Sequence, residues 1–305
     1  GSWIETNSIY GLIVWNGVVL EKDIGNALLD AYAKCGCLQE AHKVFVGLPS
    51  RDIVSYGALI SGCSLHGNSI DALELFDSMK HAGIKPNGLI FPCVLKCCGT
   101  LGIIYHGMLM HKDVNNYGFD SDLVVLNALV DMYANCGSMM DAQKVFEYLP
   151  FKNVVSWSAL IAGYVQNEQY LRAIDCFERM QDEGVEPNKS TYLSSLKACG
   201  CARSLAHGRL LHERILRNGL ELDVMISNTL VDMYCKGGEL DAAREVFDRI
   251  QSPDEITWNV MISGYVQQGE HEEALNLFRQ MEREGVCANQ VTFIVALKAC
   301  CTDSF

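Results

Sequence analysis

Apolar residues recur at helical spacing along the whole chain. In NALVDMYANCGSMMDAQKVF, beginning at Asn127, the residues Leu129, Met132, Tyr133 and Cys136 stand at i, i+3, i+4 and i+7 and share one helical face. Gly137 follows and predicts the end of a first helix, because glycine is at ease at positive φ. Gly36, Gly67, Gly238 and Gly269 hold the same place in sister segments, and Glu168 is the departure. A second helix carries Ala-x-x-x-Phe six times: Ala41/Phe45, Ala72/Phe76, Ala142/Phe146, Ala173/Phe177, Ala243/Phe247 and Ala274/Phe278. The small Ala lets a neighbouring helix approach, and Phe one turn later fills the gap. Pro86 and Pro187 close linkers. No strand-like alternation competes.

These hairpins repeat. The segment at Asn127 has copies at Asn26 (NALLDAYAKCGCLQEAHKVF) and Asn228 (NTLVDMYCKGGELDAAREVF), each 101 residues apart. A second family starts at Ser55, Ser156 and Thr257, and a third contains FPCVLKCCGTL, TYLSSLKACGCA and TFIVALKACCT, with Cys98, Cys199 and Cys300 in phase. Three kinds of unit alternate. Helix pairs that cannot bury their apolar faces alone must stack, which predicts an all-α, right-handed superhelical α-solenoid of helix–turn–helix repeats.

Composition narrows the function. The 305 residues carry 24 Lys+Arg against 37 Asp+Glu, a net charge of −13, which argues against nucleic-acid binding by bulk electrostatics but not against a local groove. The 14 cysteines include no C-x-x-C, so neither a zinc site nor a disulfide framework is indicated; free thiols of a reduced protein are expected. No run of 18 apolar residues suggests a membrane span. Gly1-Ser2 without an initiator Met reads as a cloning scar, so a targeting segment is expected to lie outside this sequence.

VSYGALISGC at Val54 and VSWSALIAGY at Val155, with ALELFDSM, GIKPN and GVEPN after them, resemble the pentatricopeptide repeat. The alternation of 35-, 35- and 31-residue units resembles its plant-type P, L and S motifs. The units are a partial L at 3–21, then S 22–52, P 53–87, L 88–122, S 123–153, P 154–188, L 189–223, S 224–254, P 255–289 and a partial L at 290–305. The resemblance implies single-stranded RNA binding, one base per repeat. It places the fifth and last residues of a unit at the base edge and the second against the base plane.

In the S units those columns hold Asn26 with Asp52, Asn127 with Asn153, and Asn228 with Asp254. In the P units they hold Gly57 with Asn87, Ser158 with Asn188, and Asn259 with Asn289. The base-bracing residues are Val54, Val124, Val155, Met225 and Ile256. By resemblance Asn with Asp favours U, Asn with Asn favours C, and Ser with Asn favours A. The implied register is 5′-U-(A)-N-C-A-N-U-C-3′. The L units depart, since Pro92 and Leu193 have no side-chain hydrogen-bonding group, and Gly57 is degenerate. Lys34 and Lys236 are candidates for phosphate contacts or plain solvated lysines. An Asn or Asp at a helix start or linker end is otherwise ordinary capping and turn chemistry.

Family resemblance extends to an organellar RNA-editing or processing factor, mitochondrial or chloroplast, whose full-length form often carries a C-terminal DYW-type deaminase domain. The alternative is a protein–protein scaffold whose L units dock accessory editing proteins. No catalytic residue, metal, cofactor, membrane or small-molecule substrate is implied. His271-Glu272-Glu273 matches half of a zinc-deaminase signature, but the P-C-x-x-C half is missing, and the string reads as surface charge. His111 and His212, equivalent to each other and to Tyr10, and the pair His106/His207 read as packing or rim residues.

Overall fold

A computed structural model describes residues 3–15, 22–220 and 223–301. Gly1, Ser2 and residues 16–21, 221–222 and 302–305 lie outside the described residues, as does the side chain of Tyr10. Two compact units divide the chain, residues 1–152 and 153–305.

The first unit holds α1 (Trp3–Trp15), α2 (Lys22–Lys34), α3 (Leu38–Gly47), α4 (Ile53–Leu65), α5 (Ser69–His81), α6 (Ile90–Leu101), α7 (Ile104–Asn116), α8 (Leu123–Asn135) and α9 (Met139–Glu147). The second holds α10 (Val154–Gln166), α11 (Tyr170–Asp182), α12 (Lys189–Cys201), α13 (Leu205–Arg217), α14 (Val224–Gly237), α15 (Leu240–Asp248), α16 (Glu255–Gln268), α17 (His271–Arg283) and α18 (Gln290–Cys301). All regular structure among the described residues is helical.

Each unit is a solenoid of stacked helical hairpins. In the first, α2, α4, α6 and α8 pack in succession as one layer; in the second, α10, α12, α14, α16 and α18 do so. The second helix of a hairpin packs on its own partner and on the first helix of the next, as α5 does on α4 and α6.

The Ala-x-x-x-Phe signature explains this stacking. All six alanines are fully buried. Five of the phenylalanines meet the aromatic residue at the fourth position of the following repeat: Phe45 meets Tyr56 at 4.9 Å between ring centroids, and Phe247 meets Trp258 at 4.8 Å, both edge-on. Phe76–Phe91, Phe177–Tyr192 and Phe278–Phe293 repeat the contact. Edge-to-face geometry suits the ring quadrupoles and fixes the register of each hairpin on the next.

The glycine column is left-handed as expected, with Gly67 at φ 81° and Gly269 at φ 84°. Glu168 adopts the same conformation at φ 58°, so the backbone turn persists where the residue type changes. Arg203 at φ 52° is the matching exception among L units, opposite Gly102 at φ 66°.

Candidate nucleic-acid interface

The last residue of every complete repeat caps the first helix of the next. Asp52 Oδ1 accepts from the N–H groups of Val54 and Ser55, each at 3.0 Å, and the Asp52 N–H donates back to Ser55 Oγ. Asn153 Oδ1 does the same for Val155 and Ser156, both at 3.0 Å. Asn188, Asp254 and Asn289 cap through Thr191, Thr257 and Thr292, while Asn87, Asp122 and Asp223 serve α6, α8 and α14. Capping satisfies N–H groups that the helix leaves open. It uses one side-chain atom, so the capping and interface readings of these residues are compatible.

Three fifth residues, Ser158, Asn228 and Asn259, sit one turn inside their helices beside the last residue of the same repeat. Ser158 Oγ is 3.4 Å from Asn188 Oδ1, and Asn259 Nδ2 is 3.5 Å from Asn289 Oδ1. Asn228 hydrogen-bonds Asp254; with the Thr257 backbone bond foremost, these contacts hold the Asp254 carboxyl below its ordinary range against the effect of burial. In Asn26, Asn127, Asn228 and Asn259 the Oδ1 atom is turned inward, buried and without a hydrogen-bond partner. Each planar amide therefore directs its Nδ2 donor the other way. Asn127 and Asn153 fall in different compact units, and each is described in its own.

The second residues are exposed despite being apolar. Val54, Val124, Val155, Met225 and Ile256 leave between 54% and 65% of their surface open. Leu89 at 80% and Val291 at 52% hold the same place in L units, where sequence reading assigned no bracing residue. Their repeat position was the available signal. In the first unit Val54 and Leu89 flank a groove of about 670 Å³ that also touches Gly57, Asn87, Pro92 and Lys96. A Cβ at Gly57 would meet only Ile90, at 3.7 Å, so its slot is open.

Lys34 and Lys236 each pair with an acidic neighbour. Each is 2.6 Å from an aspartate one turn back on its own helix, Asp30 and Asp232. Three first-position residues missed from sequence touch the last residue of their repeat: Lys22 on Asp52, Lys189 on Asp223 and Glu255 on Asn289.

His111, His207 and His212 bind neighbouring helices. His111 Nδ1 is 2.9 Å from Tyr133 Oη, and His212 Nδ1 is 2.8 Å from Tyr234 Oη, each pair joining an L unit to the next S unit. Burial holds both imidazoles below their ordinary pKa. His207 is shared between Ser204 Oγ at 2.7 Å and Glu178 at 3.1 Å, and His106 stands beside Tyr105. No group of three metal-ligating side chains converges among the described residues. Burial pushes the Cys98, Cys199 and Cys235 thiols up to about 12, so none is a nucleophile at neutral pH.

Family profiles cover most of the chain. The PPR repeat family matches residues 152–201 and 253–302, the pentatricopeptide repeat domain matches 50–100, and PPR repeat profiles match 26–53, 124–154 and 218–251. A pentatricopeptide repeat-containing protein of Arabidopsis thaliana is 37% identical over 97% of this chain and 41% of its own length. A chloroplastic relative is 38% identical over 95% of this chain and 36% of its own length, and a mitochondrial one 39% over 89% and 43%. The chain thus spans 36–43% of these relatives. Among solved structures, the pentatricopeptide repeat protein PPR10 in complex with an 18-nt psaJ RNA element superposes with a TM-score of 0.81 at 22% identity, over 98% of this chain and 45% of that one. PPR10 from maize gives a TM-score of 0.79 at 21% identity, over 98% and 44%.

Proposed function

The chain belongs to the pentatricopeptide repeat family, and from that premise we propose that it binds single-stranded RNA sequence-specifically, one base per repeat. We further propose a PLS-class array over the unit boundaries above, acting as the recognition part of an organellar C-to-U editing or processing factor. The observation that carries the reading is the pairing of polar fifth and last side chains, as in Ser158/Asn188, Asn228/Asp254 and Asn259/Asn289. Beside them stand the exposed apolar second residues. Polar pairs present fixed donors and acceptors to a base edge, and an exposed apolar side chain supports the ring. The organellar assignment is supported by the names of chloroplastic and mitochondrial relatives.

A second reading has its own support. The L-unit helix α7 exposes Tyr105, Met108 and Leu109, apolar surface that suits a protein partner such as an accessory editing protein.

Titration against 5′-U-A-N-C-A-N-U-C-3′ and a shuffled RNA tests the proposal. The expected result is tighter binding of the first RNA, with a shallow dependence of log K on log salt, since a net charge of −13 leaves affinity to a local groove and base contacts. Equal, weak binding of both RNAs contradicts it.

A further inference from the structure

The first residue of a repeat reaches the outer atom of that repeat's last side chain. Lys22 Nζ is 2.7 Å from Asp52 Oδ2, and Lys189 Nζ is 2.6 Å from Asp223 Oδ2. Glu255 accepts a hydrogen bond from Asn289 Nδ2. A fourth repeat shows the same closeness with no side chain present: a Cβ at Gly88 would lie 3.1 Å from Asp122 Oδ2.

In both ion-paired aspartates the other oxygen is already committed. Asp52 Oδ1 caps Val54 and Ser55, and Asp223 Oδ1 caps Met225 and Ile226 at 3.0 and 3.2 Å. Oδ2 is the acceptor left for a base, and in these two repeats an ammonium group holds it.

We propose that the first residue of a repeat is a specificity determinant, and that Lys22 relaxes base choice in unit 22–52 by occupying the Asp52 oxygen that would accept uracil N3–H. This rests on the RNA reading above. Uracil offers a donor at N3, whereas cytosine offers an acceptor. A bare carboxylate takes the first and repels the lone pair of the second. A carboxylate with an ammonium beside it offers both an acceptor and a donor, so both pyrimidines are tolerated.

The chain contains its own control. Units 22–52 and 224–254 carry the same pair, Asn26/Asp52 and Asn228/Asp254, but Val224 stands where Lys22 does. In unit 189–223 Lys189 occupies Asp223 while Leu193 offers no hydrogen bond, so that unit is indifferent to the base on both counts.

The experiment measures affinities of the parent protein, Lys22→Ala, Lys22→Met and Val224→Lys for RNA pairs that differ, U against C, only opposite unit 22–52 or only opposite unit 224–254. The parent is expected to prefer U more strongly at unit 224–254 than at unit 22–52. Both Lys22 variants should raise the U/C ratio at unit 22–52 by about five-fold, the lower end for one good base contact. Val224→Lys should lower the ratio at unit 224–254 by a similar factor, and other positions should not move. Lys22→Met keeps the aliphatic stem, so a packing loss in Lys22→Ala does not decide the result. If the parent prefers U at unit 224–254 yet neither Lys22 variant moves the ratio at unit 22–52, the inference is overturned and the RNA reading stands. Absence of any preference at unit 224–254 overturns the reading and the inference together.

Discussion

Ser158 Oγ lies 3.4 Å from Asn188 Oδ1 although 30 residues separate them. The closeness follows from the fold: the first helices of consecutive repeats, α10 and α12, pack side by side, so a residue one turn into α10 stands beside the cap of α12. Thr191 closes a triangle, with Oγ1 2.7 Å from Ser158 Oγ and 2.9 Å from Asn188 Oδ1. A capping device thereby orients a pair suited to reading a base.

Removing the hydroxyl tests the pair. Ser158→Ala should reduce the preference of unit 154–188 for A over the other bases by about 1 kcal/mol, within the range for one base contact. Fold stability should change little, because Thr191 keeps the Asn188 cap. Affinities for four RNAs differing at that base, together with a thermal melt, check both parts.

A stability gain is available at the turn after α10. Glu168 is exposed and left-handed at φ 58°, where Gly67 and Gly269 stand in sister repeats. A non-glycine residue there costs on the order of 1–3 kcal/mol, partly offset by the larger entropy loss of glycine. Glu168→Gly should stabilise residues 153–305 by roughly 1 kcal/mol, read as a higher denaturant midpoint.

Acid should weaken the fold well above the carboxylate range. His111 and His212 are held below the ordinary histidine pKa by burial, so the folded protein keeps them neutral while the unfolded chain takes up protons near pH 6.5. Their contribution is complete above about pH 6.5 and declines as pH falls from there toward the lower folded values. Urea unfolding at pH 7.5 and 5.5 should show this loss, and the His111→Gln/His212→Gln variant, which keeps a partner for the tyrosines without titrating, should lose less.

Much of this fold was legible because the chain states it three times. The Ala-x-x-x-Phe pairs and the Gly column announced the hairpins, and the aromatic at the fourth position proved to be what five of the six Phe rings pack against. The site was harder to read. Fifth and last residues lie about a whole repeat apart, and only family resemblance joined them. The first-position contacts of Lys22, Lys189 and Glu255 need the helix start of one repeat to sit beside the cap of the next, which no local pattern states. By contrast, the pairing of Lys34 and Lys236 was in view: Asp30 and Asp232 stand four residues earlier, a spacing that brings charges together on a helix.

The most direct test of the account is a one-atom-scale change at Asp254. Its inner oxygen caps α16 through Thr257, a role that Asn188 and Asn289 fill equally well in their repeats. Asp254→Asn should therefore leave the fold intact and replace an outer acceptor with a donor. The measurement is the affinity of both proteins for two RNAs that differ, U against C, only at the base opposite unit 224–254. The account predicts that the parent prefers U and that Asp254→Asn shifts the ratio toward C by about 1 kcal/mol or more, with other positions unchanged. Equal affinity of both proteins for the two RNAs, or an equal loss on both, would contradict it and leave Asp254 a helix cap alone.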